Sequence, residues 1–277
     1  MASSEVPPIE ALTAEDMADL LALSADARWN QVAADWQVFL DRGAVWGVRE
    51  VGTGTVVASA ALLPYPPATA WVSMVLTLRR ARGEGHASRL LTHAVAASLA
   101  RGLPPQLDAT PEGLPIYRRQ GFEARFEITR WKRPGEVRPC PPPSLPDRGA
   151  LERTAALDAR ALGVARPEVL GHLASRGPHA FAPDGFALSR DGRAAHHIGP
   201  VVAEDPARAQ ALFRDVLAQI GEDAAVSVDA CDATPGFAAM LESLGFQRLR
   251  PFTRMALGAA PAGNPGFIAA IAGPELA

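Results

Sequence analysis

The chain has 277 residues, 48% of them hydrophobic and 21% charged, with a formal net charge of -3. That length admits two domains with buried cores, and the balance excludes a disordered chain, a membrane span and the clustered positive charge that nucleic acid requires. The 24 glycines and 25 prolines follow no period, and the two cysteines, Cys140 and Cys231, can frame neither a disulfide scaffold nor a metal site.

Met1 to Glu10 lacks the basic start and apolar stretch of a secretory leader, so a cytoplasmic protein is expected. Leu12–Leu23 and Trp29–Leu40 read as helices, the second placing Trp29 and Trp36 on one face. Ala44–Val51 and Val56–Leu63 read as strands joined by the turn Gly52-Thr53-Gly54-Thr55. Ala70–Leu78 is a third strand, which runs into Arg79-Arg80-Ala81-Arg82-Gly83-Glu84-Gly85. From His86, apolar positions at Leu90, Leu91, Ala94 and Val95 keep helical spacing until Gly102. A short strand (Gln106–Ala109), a short helix (Glu112–Gln120) and a closing strand (Ala124–Trp131) follow. Helices interleaved with strands in this order predict an α/β fold with a mixed α+β sheet.

The chain then repeats itself. Asp108-Ala109-Thr110-Pro111 recurs as Asp232-Ala233-Thr234-Pro235, Gly121-Phe122 as Gly245-Phe246, and Thr129-Arg130 as Thr253-Arg254, each 124 residues on. Three matches in one register imply two tandem copies of one domain. The proline-rich run from Pro134 to Pro146 separates them. The expected organisation is therefore a first domain over 1–133, a linker over 134–147, a second domain over 148–257 and a tail over 258–277, with Phe267, Ile268 and Ile271 giving the tail an apolar surface for docking.

A strand that ends in a glycine-rich turn and opens a helix is suited to phosphate, because glycine lets the backbone approach and the first helical amides face the anion. Arg82-Gly83-Glu84-Gly85-His86-Ala87-Ser88 is such a turn. A Walker-type NTPase is disfavoured because the only lysine, Lys132, lies elsewhere, and the dinucleotide fingerprint fails because its third glycine would fall on Ser88. The turn instead resembles the Arg/Gln-x-x-Gly-x-Gly/Ala signature of the GNAT superfamily of N-acetyltransferases, with Arg82, Gly85 and Ala87 in the matching places and Arg79 where the family usually has Pro. Downstream, Tyr117-Arg118-Arg119-Gln120-Gly121-Phe122 is similar to the family's Tyr-x-x-x-Gly-Phe.

The resemblance implies two tandem GNAT-like domains, the first complete and the second degenerate. It implies acetyl-CoA as cosubstrate, held by the amides of Arg82 to Ser88 and by the backbone of Val75, Leu76 and Thr77. The activity expected from it is direct transfer of the acetyl group to a primary amine of an unidentified small acceptor, without metal. A phenol is protonated at neutral pH, so Tyr117 is the expected acid for the departing thiolate. Glu112 is the candidate base, whereas Asp108, which recurs as Asp232, reads as a structural cap. In this fold the first two helices and their connection build the acceptor side, which brings in Trp29 and Asn30. A non-catalytic acyl-CoA sensor or scaffold is the competing expectation, and the intact Tyr117 argues against it.

No metal is expected from the histidines: His86 and His93 stand two helical turns apart, and His196 and His197 alternate across a strand. Neither nucleic acid nor membrane is expected as a partner, and the sequence leaves the oligomeric state open. In the second copy, Asp205 and Pro206 make a helix start that satisfies its own amides, and Leu241 replaces the tyrosine.

Overall fold

The computed structural model describes residues 6–140, 143 and 148–277. The first copy comprises β1 (Glu10–Ala11), α1 (Met17–Asp26), α2 (Ala33–Arg42), β2 (Ala44–Arg49), β3 (Val56–Tyr65), β4 (Thr69–Thr77), α3 (His86–Leu99), β5 (Pro105–Ala109), α4 (Leu114–Arg119) and β6 (Glu123–Arg133). The second comprises α5 (Arg148–Leu162), α6 (Pro167–Ala174), β7 (His179–Ala182), β8 (Gly185–Arg190), β9 (His196–Ala203), α7 (Pro206–Ile220), β10 (Val226–Cys231), α8 (Phe237–Ser243) and β11 (Gln247–Ala256), with β12 (Ile268–Ala270) in the tail. Within the expected linker, Pro141, Pro142 and residues 144–147 lie outside the described residues, and Glu136 forms a parallel bridge to Ala224.

The strands form one mixed sheet in the order β1-β2-β3-β4-β5-β11-β6-β10-β12-β9-β8-β7. Helix α3 packs Leu90, Leu91 and Ala94 onto this sheet, and α7 packs Leu212, Phe213 and Val216. Burial of each leucine contributes about 1.5–3 kcal/mol. After α3 the chain turns at Gly102 (φ +70°), and the N–H groups of Gly102 and Leu103 return to the carbonyls of Leu99 and Ser98. No described helix is long and apolar enough to cross a membrane.

The two copies exchange their last strands. β11 lies antiparallel to β5 of the first copy, β6 lies antiparallel to β10 of the second, and β6 and β11 pair with each other at the centre. Each exchanged strand is held by an arginine: Arg254 donates from Nε and Nη2 to Asp108 (both 2.9 Å), and Arg130 makes the same two bonds to Asp229 (both 2.7 Å). Asp108 is thus an ion-pair partner rather than the expected cap, and its structural counterpart is Asp229 rather than Asp232, because β10 continues further past its aspartate than β5 does.

The buried carboxyls differ. Desolvation raises Asp108 above its ordinary range despite Arg254, whereas Asp229 is desolvated too but held low by Arg130, His197 and Arg190. A second chain of charges, buried but for the partly exposed Asp191, links Asp191, Arg176, Asp35, Arg190 and Glu275 between the copies.

Candidate active site

β4 is distorted where it passes β3. Met74 has φ +51°, a costly conformation for a side chain of its size, and the register jumps between the Ser59–Leu76 and Ala61–Ser73 pairs. The buried Ser59 hydroxyl donates to the Met74 carbonyl at 2.9 Å and fixes the bulge. On its other side β4 pairs in parallel with β5 at Ala70–Pro105 and Trp71–Gln106, and then the two strands diverge.

The divergence opens onto a cleft of about 710 Å³ lined by Val75, Leu76, Thr77, Arg82, Gly83 and the start of α3. Gly83 and Gly85 sit at φ +87° and +81°, and a Cβ on either would meet no atom within 4 Å. The loop therefore needs glycine for its backbone, and the space beside it is open to a ligand. The first α3 bond runs from the Arg89 N–H to the Gly85 carbonyl, so the amides of His86, Ala87 and Ser88 precede the hydrogen-bonded ladder. Arg82 donates from Nε to the Thr77 carbonyl at 3.3 Å and ties the loop to its strand. Buried polar atoms without protein partners, Thr77 Oγ1 and His86 Nδ1, also belong to this wall. An anionic chain laid along β4 with its phosphates at α3 fits these groups. Glu84 is the exception within the loop, for its carboxylate turns onto His86 Nε2 at 3.1 Å and it does not line the cleft.

A narrower cavity adjoins the cleft, and the two share the wall formed by Trp29, Val75, Thr110, Tyr117 and Arg250. The Tyr117 ring packs over Gly113 and edge-on to Phe122, with centroids 6.1 Å apart. Desolvation pushes its hydroxyl up to about 12, so it stays protonated. Glu112 stands exposed at the rim of the cleft and outside the narrower cavity. Its own N–H and the Thr110 hydroxyl hold its carboxyl below the usual range.

Two expectations on the acceptor side are corrected. Asn30 lines neither cavity: its Nδ2 donates to the Ala195 carbonyl (2.8 Å), and its Oδ1 accepts from the amides of Ala194 (2.8 Å) and Ala195 (3.0 Å). It fastens the first copy to the loop before β9. Trp29 does line both cavities, but from the α1–α2 connection, since α2 begins only at Ala33. Trp36 is core, donating from Nε1 to Ser24 Oγ at 3.0 Å.

The narrower cavity also contains Gln31, from the same connection as Trp29, and four residues with no sequence signal of their own: Ser73 from β4, Arg250 and Phe252 from β11, and Glu275 from the tail. Arg250, Phe252 and Glu275 reach it through the strand exchange and the tail path, which no local motif encodes.

In the second copy the corresponding divergence lies between β9 and β10, which pair in parallel at His196–Val226 and His197–Ser227. There β12 enters and pairs with both strands, so the tail fills the cleft. Asp205 Oδ2 accepts from the Arg208 amide at 3.1 Å ahead of Pro206, and Leu241 is fully buried. The anion site of the first copy is thereby absent from these described residues. No group of three or more His, Cys, Asp or Glu suited to a metal occurs among the described residues.

Comparisons with known proteins find a family match in each copy. Residues 10–122 match the model of the acetyltransferase (GNAT) family, and residues 154–266 match that of an acetyltransferase (GNAT) domain. Holothin acyltransferase from Pseudoalteromonas sp. (strain SANK 73390) is 28% identical over 232 residues, which cover 79% of this chain and 77% of that protein. A protein from Pyrococcus horikoshii superposes with a TM-score of 0.78 at 15% identity, covering 99% of both chains. A tandem GNAT protein from the clavulanic acid biosynthesis pathway has a TM-score of 0.62 at 18% identity, covering 93% of this chain and 99% of its own. At such identities the structural likeness shows the fold.

Proposed function

The chain belongs to the GNAT acetyltransferase family, with two such domains in tandem, and from that premise we propose that it transfers an acetyl group from acetyl-CoA to the primary amine of a small acceptor. The observation that carries the reading is the bulged, diverging β4 with the glycine loop at one end and Tyr117 at the junction of the two cavities.

The amides of Gly83, Gly85, His86, Ala87 and Ser88 hold the phosphates, and the backbone of Val75 to Thr77 aligns the acyl arm. Bound acetyl-CoA supplies an electrophilic thioester carbon. The acceptor nitrogen, approaching from the narrower cavity, forms its bond to that carbon as the carbon–sulfur bond breaks, and the Tyr117 hydroxyl gives its proton to the sulfur. The proton leaving the nitrogen passes to water at the open rim beside Glu112, and the same water returns a proton to Tyr117. No metal takes part in this scheme.

Calorimetry and thiol release test it together. Acetyl-CoA binds one site per chain, and Gly85→Glu, which puts a side chain and a negative charge into the loop, abolishes binding. Tyr117→Phe retains binding and lowers turnover by about 10²–10⁴-fold, as expected for loss of a general acid. Unchanged turnover removes Tyr117 from the chemistry. Binding without thiol release for any amine would mark the chain as an acyl-CoA sensor.

A further inference from the structure

We infer that the acceptor is a small amine that also carries a carboxylate, and that Arg250 on the exchanged strand β11 recognises that carboxylate. The inference rests on the acyl-transfer reading and names the acceptor class for the same site.

It starts from the pairing of charges around the narrower cavity. Asp108 is held by Arg254, Arg130 by Asp229, and Glu275 by Arg190. Arg250 lines the cavity too, yet among the described residues no carboxylate lies within ion-pair distance of it. Its guanidinium stacks on Phe252, 4.8 Å from the ring centroid, and its Nε is buried without an acceptor. Burial and the neighbouring Arg130 hold its pKa below the usual arginine range even though Asp229 and Glu112 act the other way, so an anion in contact with it restores what desolvation removes. A half-buried planar donor fork whose Nε has no acceptor is matched by a carboxylate.

The opposite requirement comes from the first copy. Gln31 and Ser73 are only 4% and 8% exposed, and Gln31 Oε1 and Ser73 Oγ have no protein partner. An amide oxygen accepts and cannot donate, so it calls for an N–H or O–H on the ligand. The cavity thus presents an unmet acceptor near β4, where an amine must stand to reach the acyl carbon, and an unmet cationic donor on β11. One ligand satisfies both when amine and carboxylate belong to the same small molecule. A polyamine leaves Arg250 facing like charge, and a dianionic phosphate places excess negative charge beside Asp108 and Glu275. Arg250 also borders the cofactor cleft, where the Glu112 carboxylate acts on it without an ion-pair contact, and it belongs to the wall that the cleft shares with the narrower cavity.

The test is a competition. Wild-type protein and acetyl-CoA are incubated with an equimolar pool of L-amino acids, their C-terminal amides and the corresponding decarboxylated amines, and acetylated products are identified by mass. We expect products from the carboxylate members, with kcat/KM about 100-fold above the matched amides, the size expected for one charge-assisted contact. Arg250→Gln removes that preference while its acetyl-CoA Kd stays unchanged, and Arg250→Lys, which keeps the charge in a less constrained form, restores part of it. Equal or better use of amides or decarboxylated amines, an undiminished carboxylate preference in Arg250→Gln, or a lost acetyl-CoA affinity in that variant each overturns the inference and leaves acyl transfer standing. No product from any pool, with acetyl-CoA still bound, overturns the acyl-transfer reading and this inference together.

Discussion

Replacing Arg254 by leucine should expose how the two halves are locked. The guanidinium makes two 2.9 Å bonds to Asp108, and it lies 4.6 Å from the Trp71 ring centroid and 5.0 Å from that of Phe126. Arg254 is only 3% exposed, so the substitution strands the Asp108 carboxylate in the core. Removing one partner of a buried pair costs about 3–5 kcal/mol. With a urea slope of about 3 kcal/mol per molar, that lowers the unfolding midpoint by about 1–1.7 M, readable by far-ultraviolet circular dichroism.

The pH dependence gives a second check. Desolvation already raises the folded pKa of Asp108 above its unfolded value, so its contribution is fully present at low pH and lost as pH rises through the folded value. Without Arg254 the folded value climbs further, so the deficit of the variant is largest at neutral pH and shrinks on acidification. Pairing Arg254→Leu with Asp108→Leu removes both charges and should recover the stability to within about 1 kcal/mol of wild type. A single variant within about 0.5 kcal/mol of wild type, or a double variant no better than the single, would refute the lock.

Three other outcomes follow. Gly113→Ala puts a Cβ 2.7 Å from Tyr117 Cε2; it should lower kcat while leaving the acetyl-CoA Kd within about twofold, so that parallel losses would point to misfolding instead. Asn30→Ala leaves two amides and a carbonyl of the 194–195 loop without partners and should destabilise by about 1–3 kcal/mol in urea unfolding; an unchanged midpoint would return Asn30 to the list of substrate contacts. Burial, with Arg190 close by, pushes His197 down to about 3, below its unfolded value, so its contribution is present above pH 6.5 and drains away as pH falls, by about 2 kcal/mol at pH 5; His197→Gln should flatten that profile, and parallel profiles would dismiss the histidine as the cause.

The parts of the site that were legible in the sequence are those built from contiguous backbone. An anion loop needs positive-φ glycines directly before a helix, so Gly83, Gly85 and His86 announce themselves in order, and the tyrosine four residues before Gly121 has a similarly local signature. The repeat was legible because both copies kept their turns. Strand exchange was not, since Thr129-Arg130 and Thr253-Arg254 are equivalent by sequence and each could pair with either aspartate-bearing strand. The acceptor wall missed by one residue for a related reason. Periodicity started α2 at Trp29, whereas Asn30 is drawn onto the 193–195 loop and the helix begins at Ala33, which leaves Gln31 facing the cavity.

The cleft of the second copy is filled by the tail, and the filling segment reaches the site of the first. β12 takes the place between β9 and β10 that lies open between β4 and β5, and the chain beyond it returns to the first copy. Trp71 Nε1 donates to the Pro274 carbonyl and the Tyr65 hydroxyl to that of Leu276, both at 2.8 Å, while Arg166 binds the carbonyls of Leu276 and Ala277. These contacts set Glu275 in the wall of the narrower cavity, opposite the first copy's own residues. Closing one cleft therefore completes the other. Arg250 and Phe252 reach the same wall only because β11 has crossed over, so the second copy supplies side chains to the narrower cavity while the first supplies the bulged strand and the glycine loop.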